Sequence, residues 1–562
     1  MHRPMENPPA SNSKLSVKQV LLDQQMAKSE QHLPDLKTQR NIHAPISQLS
    51  PETLLRIFNI LKDDEYNPFN HHLSRPFLTK HIIVHVCRQW RTLAFSAPTL
   101  WNTPPLWDHD WALTYLKLSK SEPLDVKIFF TKAPLWTTVL KHMSRVKVLS
   151  IECYYDLLNE MQTFLRSNKS LDAPLLAKLD IHSREEMDSR PSSLKLLNDT
   201  FRRTDALRWL GLRNVTIEWD SPLLRHQLTT LELIETPLSA RPTWKQLMDV
   251  LRGLPSLETL KLSQVCPLKD NVYVKGAVHL PNLHHLIIDC DTPAQIAPFL
   301  SQVTFPQLRK IGGGCFALQP GTKDYMEVLR PLLKLIPAGT KVGDAVTKLK
   351  LSDTQGRITS ERLYITLEST ASSDFPVLDL HLPCIKKYDQ KSSISSIIRA
   401  LGLCNLEFVG FYSSFGVLDE CFGDHQNLVT IEIGYAEELP CLTKALEIPI
   451  DHPPNASVPF PNLKVIGLTE IHGLPWRDKN KKDNKDDEED EDEFDEDWDC
   501  EPWELSPERT WTNFRNCLIR RSEYGVPVQE LHVQKCTALS MGWFDSFQEV
   551  VPVVKWDKNG TL

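Results

Sequence analysis

A chain of 562 residues, 41% hydrophobic and 24% charged, has enough Leu, Ile and Val to fold but is too long for one hydrophobic core, so it is either several globules or a repeat array. Its net charge of −8 is concentrated in one place: the window Asp486 to Asp499 carries 12 carboxylates and no base, which leaves the rest of the chain net positive. Nothing global argues for nucleic acid or membrane as a partner, and the absence of an 18-residue apolar run disfavours a spanning helix.

The polar start of the chain disfavours a signal peptide, and the 12 cysteines form no Cys-x-x-Cys pair, so neither a zinc ribbon nor a thioredoxin-type centre can be drawn. The thiols read as buried in a reducing compartment, cytoplasmic or nuclear. The Asn-x-Ser/Thr triplets at Asn168, Asn198, Asn214, Asn455 and Asn559 are then chance matches.

In chain order, residues 1–43 form a polar leader in which Val20, Leu21, Met26, Leu33 and Leu36 permit an amphipathic helix without three sustained heptads. A helix follows from Ser50 as N-cap and Pro51 as first residue, placing Leu54, Ile57, Phe58 and Leu61 on one face. After a polar loop around Asp63 to Arg75, a second helical pattern runs through Ile83, Val86, Cys87, Trp90, Leu93 and Ala94. A short apolar clasp, Pro98-Thr99-Leu100-Trp101, closes the segment.

These residues carry a resemblance. Ile46, Leu49, Pro51, Glu52, Leu55, Ile57, Phe58, Val86, Cys87, Arg88, Trp90, Arg91, Leu93, Pro98, Leu100 and Trp101 together resemble an F-box of the form common in mushroom-type fungi. Ser50 stands where that family usually has its first proline, and the loop between the helical halves is longer. The resemblance implies an all-α module over residues 44–103 that docks on the Skp adaptor subunit of a cullin-RING ubiquitin ligase. Leu49, Pro51, Leu54, Ile57 and Phe58 would contact the adaptor or support the contact, and Val86, Cys87, Trp90, Leu93, Leu100 and Trp101 would hold the module together.

From about residue 145 an apolar phrase recurs at i, i+3 and i+5: Leu207-Leu210-Leu212, Leu228-Leu231-Leu233, Leu257-Leu260-Leu262, Leu283-Leu286-Ile288 and Leu463-Ile466-Leu468. Weaker copies start at Val146, Leu176, Leu308, Val346, Leu406, Leu428 and Val528. The spacing matches leucine-rich repeats, whose period is roughly 20 to 29 residues. In such a strand the i+3 and i+5 side chains point into the stack and alternate residues point out. The asparagine or cysteine expected near i+8 is replaced by Thr236, Val265 and Asp291. The expected fold is therefore α/β, an N-terminal all-α module followed by a leucine-rich-repeat-like solenoid over 104–562, with parallel strands on the concave face and helices or turns on the convex one. Residues 477–501, containing the acidic tract, read as a disordered insertion that serves solubility more readily than it grips a basic partner; Lys479, Lys481, Lys482 and Lys485 beside it form a weak nuclear-import pattern.

No pattern of catalytic residues emerges. Gly312-Gly313-Gly314 lacks the lysine of a phosphate loop and reads as a turn; His81 and His85 share a helix face without an intervening glutamate base; His284 and His285 alternate across a strand. The expectation is a non-enzymatic, cofactor-free and metal-free substrate-recognition subunit of a Skp/cullin/F-box ligase, binding a substrate protein through the outward residues Thr230, Glu232, Thr259, Lys261, His285 and Ile287, and more weakly Val465 and Gly467. The alternative is a leucine-rich-repeat interaction scaffold unconnected to ubiquitination, and a hydrolase would need a concave His/Asp/Glu/Ser cluster that sequence spacing hides.

Overall fold

The computed structural model describes residues 17–64, 78–106, 108–129, 135–168, 171–184, 194–225, 227–267, 276–315, 330, 332–333, 342–353, 362–370, 377–383, 387–412, 417–422, 425–449, 453, 458–471, 507–536 and 539–557. The acidic insertion, its flanking lysines, Asn455 and Asn559, most of the loop before Leu78 and the side chain of His81 lie outside them. The chain divides into two compact units, Met1–Cys153 with Thr163–Ala177 and Phe201–Asp205, and Tyr154–Gln162 with Lys178–Thr200 and Ala206–Leu562. No described helix is long and apolar enough to cross a membrane.

The first unit opens with a helix at Val17–Ile42, whose apolar side chains from Val20 to Ile42 are exposed. The helix Pro51–Asp64 begins where its cap residues predict: the Thr53 amide donates to Ser50 Oγ at 3.2 Å. Its inner face buries Leu54 and Phe58 completely, against Ile83, Val84, Ala94, Leu100, Trp101 and Tyr115. The single helical pattern expected through Ile83 to Ala94 is two helices, Leu78–Val86 and Arg88–Ser96. They break at Cys87, whose extended backbone (φ −156°) makes it the N-cap of the second, with Sγ accepting the Trp90 amide at 3.4 Å. The clasp Pro98–Trp101 is a 3-10 turn that sends the Trp101 indole inside, donating to the Ala94 carbonyl at 2.8 Å and packing edge-on to Tyr115. Two parallel strands, Leu124–Phe129 and Val146–Tyr154, follow, the second passing into the other unit at Tyr154.

The second unit is built on one sheet. Its strands run in the order Lys178–Arg184, Trp209–Arg213, Thr230–Ile234, Thr259–Ser263, His285–Cys290, Lys310–Cys315, Val377–Pro383, Arg362–Glu368, Lys348–Asp353, Phe408–Tyr412, Thr430–Ile433, Val465–Thr469, Glu530–Gln534 and Val553–Trp556. All neighbours are parallel except Arg362–Glu368, which is antiparallel to both strands beside it. Parallel pairing needs a crossover on every repeat, and helices such as Trp244–Arg252 and Glu438–Leu446 supply some of these. The antiparallel strand departs from a uniform solenoid: it reverses the order so that Lys310–Cys315 pairs with the later strand Val377–Pro383.

The apolar phrases place their side chains as expected. Leu210, Leu231, Leu260, Leu286, Ile288, Ile466 and Leu468 are all fully buried, as are Leu149, Leu179, Leu349, Val409, Ile431 and Leu531 in weaker copies. Removing each such side chain from water contributes about 1.5–3 kcal/mol. Leu308, two residues ahead of the strand Lys310–Cys315, is only half-buried.

Strand ends share a corner that the sequence conceals. Asn214, Glu235, Gln264, Glu470 and Lys535 each follow a strand directly and have φ between 51° and 57°. The amides of the first four bond a carbonyl at or next to the end of the neighbouring strand, those of Ile234, Ser263, Asp289 and Gln534. Where an asparagine ladder would stand, Thr236 and Val265 are buried, and Arg241 donates to the Thr236 and Cys266 carbonyls and pairs through both terminal nitrogens with Asp291. Gln295 completes the job, donating to the Cys266 and Pro267 carbonyls and accepting from the Asp291 and Thr292 amides.

Gly312–Gly314 is not a turn. The three glycines lie inside the strand Lys310–Cys315, where a Cβ at Gly313 or Gly314 would overlap the backbone of Ile288 or His381. The cysteines Cys266, Cys290, Cys315, Cys441, Cys517 and Cys536 are buried and in no disulfide, whereas Cys404 is exposed, contrary to the expectation for cysteines in general.

Candidate interaction surfaces

The first surface belongs to the helical module. Leu54 and Phe58, expected among the adaptor contacts, are wholly internal; Phe58 packs on Trp90 with ring centroids 4.9 Å apart. Val86 reverses in the other direction: expected in the core, it is 50% exposed, because the break at Cys87 turns its helix face outward with Ile82. Trp90 and Leu93 are partly buried against the core, Cys87 is half-buried, and Leu100 and Trp101 are buried as expected. Outside that core the module exposes Ile46, Leu49, Ile60, Leu61, Ile82 and Val86. Pro51 is exposed and Ile57 half-buried.

The second surface is the outward face of the sheet in the other unit. Pairing brings Thr230, Thr259 and His285 into one row and Glu232, Lys261 and Ile287 into the next, so the six residues chosen from sequence do share a face. His285 is exposed and the other five half-buried; Val465 lies on the same face, and Gly467 is buried there. Desolvation, then the charges of Lys310, His284 and Arg309, hold His285 below its ordinary value. His284, on the adjacent residue, points its Nε2 at Gln307 Oε1, 3.2 Å away.

Further along those rows stand residues that sequence reading missed. Lys310 Nζ is 3.1 Å from Asp379, which also accepts from Thr366 Oγ1. In the next row Asp289, Gly314 and His381 are aligned, and the imidazole reaches across the glycine so that Nδ1 lies 2.8 Å from Asp289 Oδ1. Tyr364 packs edge-on to that ring at 4.8 Å. A base and its orienting carboxylate are thus present on this face. His381 Nε2 faces Asp379 at 3.8 Å, and among the described residues no hydroxyl or thiol bonds to it.

A cleft of about 1000 Å³ elsewhere in this unit is lined by Lys195, Glu218, Trp219, Arg225, Arg241 and Asp249. Lys195 pairs with Glu218 within this lining, whereas Arg241 pairs with Asp291 and Asp249 with Arg252, both outside it.

Compared with known proteins, the chain matches no family model and no curated protein sequence.

Proposed function

We propose that this chain is a substrate-recognition adaptor of a Skp/cullin/F-box ubiquitin ligase, its helical module docking on the Skp adaptor and its sheet face receiving a substrate protein. The observation that carries the reading is the helical module itself. The residues of the F-box resemblance divide into a packed core (Phe58, Leu100, Trp101) and an exposed apolar set (Ile46, Leu49, Val86), which is the division a docking module requires and an end cap does not. The chain does no chemistry of its own in this reading; it raises the local concentration of the substrate lysine near a charged enzyme bound to the cullin.

Because Phe58 is internal, the informative variant replaces exposed residues only. Full-length wild type should co-purify with a Skp adaptor, and a Leu49→Asp, Val86→Asp double variant with an unchanged circular dichroism spectrum should not. Interface anchors of this kind are worth roughly 2 kcal/mol each on truncation, so losing two weakens binding by about three orders of magnitude. A folded wild type that fails to bind any Skp adaptor would leave a leucine-rich-repeat interaction scaffold as the better description.

A further inference from the structure

On the outward sheet face, large side chains lie over neighbouring glycines, and charged side chains stand close to the aromatic rings. Trp209 covers Gly211, where a Cβ would strike the indole and come within 2.9 Å of Asp180 Oδ1. The Lys178 ammonium sits 3.9 Å from the Trp209 ring centroid. Phe408 leans on Gly410, and Lys350 stands 6.0 Å from its ring centroid and 3.4 Å from Glu368. In both places an aromatic ring and a carboxylate are accompanied by a cation from this same chain.

The third copy differs. The Tyr412 ring lies over Gly434 and against Gly410, and the stem of Glu432 lies over Gly467. Glu432 accepts from Thr469 Oγ1 at 2.9 Å and from the Tyr412 hydroxyl. Burial, then Glu432, push that hydroxyl well above its ordinary value, so it stays protonated and continues to donate. Among the described residues no cation pairs with Glu432. The site therefore presents a fixed carboxylate beside an aromatic ring on a floor kept low by glycine.

We propose that Tyr412 and Glu432 receive an arginine side chain of the partner protein, its guanidinium flat on the phenol ring and hydrogen-bonded to the carboxylate. A planar guanidinium can stack and donate two parallel hydrogen bonds at once, which a lysine ammonium cannot. The inference rests on the reading that this sheet face receives a protein, but not on the helical module.

Saturation-transfer difference NMR on the full chain tests it, with acetyl-Gly-Gly-Arg-Gly-Gly-amide as probe and its lysine and citrulline counterparts as controls. The arginine peptide should receive transfer from the protein, and the lysine and citrulline peptides much less. Glu432→Gln, which keeps the shape and the Thr469 contact, should weaken the arginine peptide about tenfold, as expected for loss of one charge-assisted bond. Transfer unchanged in Glu432→Gln, as binding to the acidic tract would give, overturns the proposal, as does equal transfer to the lysine peptide or none from wild type. Skp co-purification measured on the same proteins separates the two readings: its failure with intact, Glu432-dependent arginine binding sinks only the adaptor function.

Discussion

Phe58 and Leu49 show how burial separates two residues that sequence reading treated alike. Both sit in the same apolar pattern, but one is fully enclosed and the other is more than a third exposed. Phe58→Ala should cost about 3–5 kcal/mol and unfold the helical module first, whereas Leu49→Ala should stay within about 0.5 kcal/mol, a contrast that urea titration of the two variants would check. Arg521 makes the opposite point about charge: it is completely buried, and its guanidinium donates to the Pro459 and Phe460 carbonyls at 2.8 Å each, holding the turn in which Phe460 has φ 49°. Nothing in an Arg-Arg pair near the end of a helix announces such a role. What the sequence does announce at this scale is Ser50, because a cap acts on its own helix within one turn.

At the scale of elements, the strand phrases were legible for the same local reason. Alternation on one strand decides which side chains face inward, whatever the strand pairs with, and every strong phrase buries the residues expected of it. The strand of three glycines was misread as a turn because its need for glycine comes from its neighbours: Ile288 and His381 approach too closely for a side chain. The helix Pro507–Glu523 carries a testable property of the same tertiary origin. Burial pushes the Cys517 thiol from 9.0 up to about 11, and Cys290 and Cys536 are also raised. The folded protein thus holds these protons more tightly than the unfolded chain. The associated stability is intact below pH 9 and lost as pH rises from there through about 11, so the melting temperature should fall over that window, less steeply in Cys517→Ala. A melting temperature level from pH 9 to 11 in wild type would contradict the buried placement of these thiols.

At the scale of the whole molecule, each strand of the second unit bonds only the strands beside it, so disturbance should spread locally. Leu260→Asp places a charge in the fully buried interior of Thr259–Ser263. Hydrogen-exchange mass spectrometry should show faster exchange in Thr230–Ile234 and His285–Cys290 while Glu530–Gln534 keeps its protection; uniform loss across the sheet would mean that the repeats fold as one cooperative block.

The sequence by itself determined the α/β character, the repeating strands with their buried phrases, and the helical start at Ser50, because hydrophobic period and capping act over a few residues. Only the tertiary structure decided the antiparallel reversal at Arg362–Glu368, the break at Cys87 that exposes Val86, the Arg241–Asp291 corner, and the meeting of His381 with Asp289 across Gly314. These contacts join positions that no local pattern relates: Asp289 and His381 are 92 residues apart, and what brings them together is the order in which strands pair.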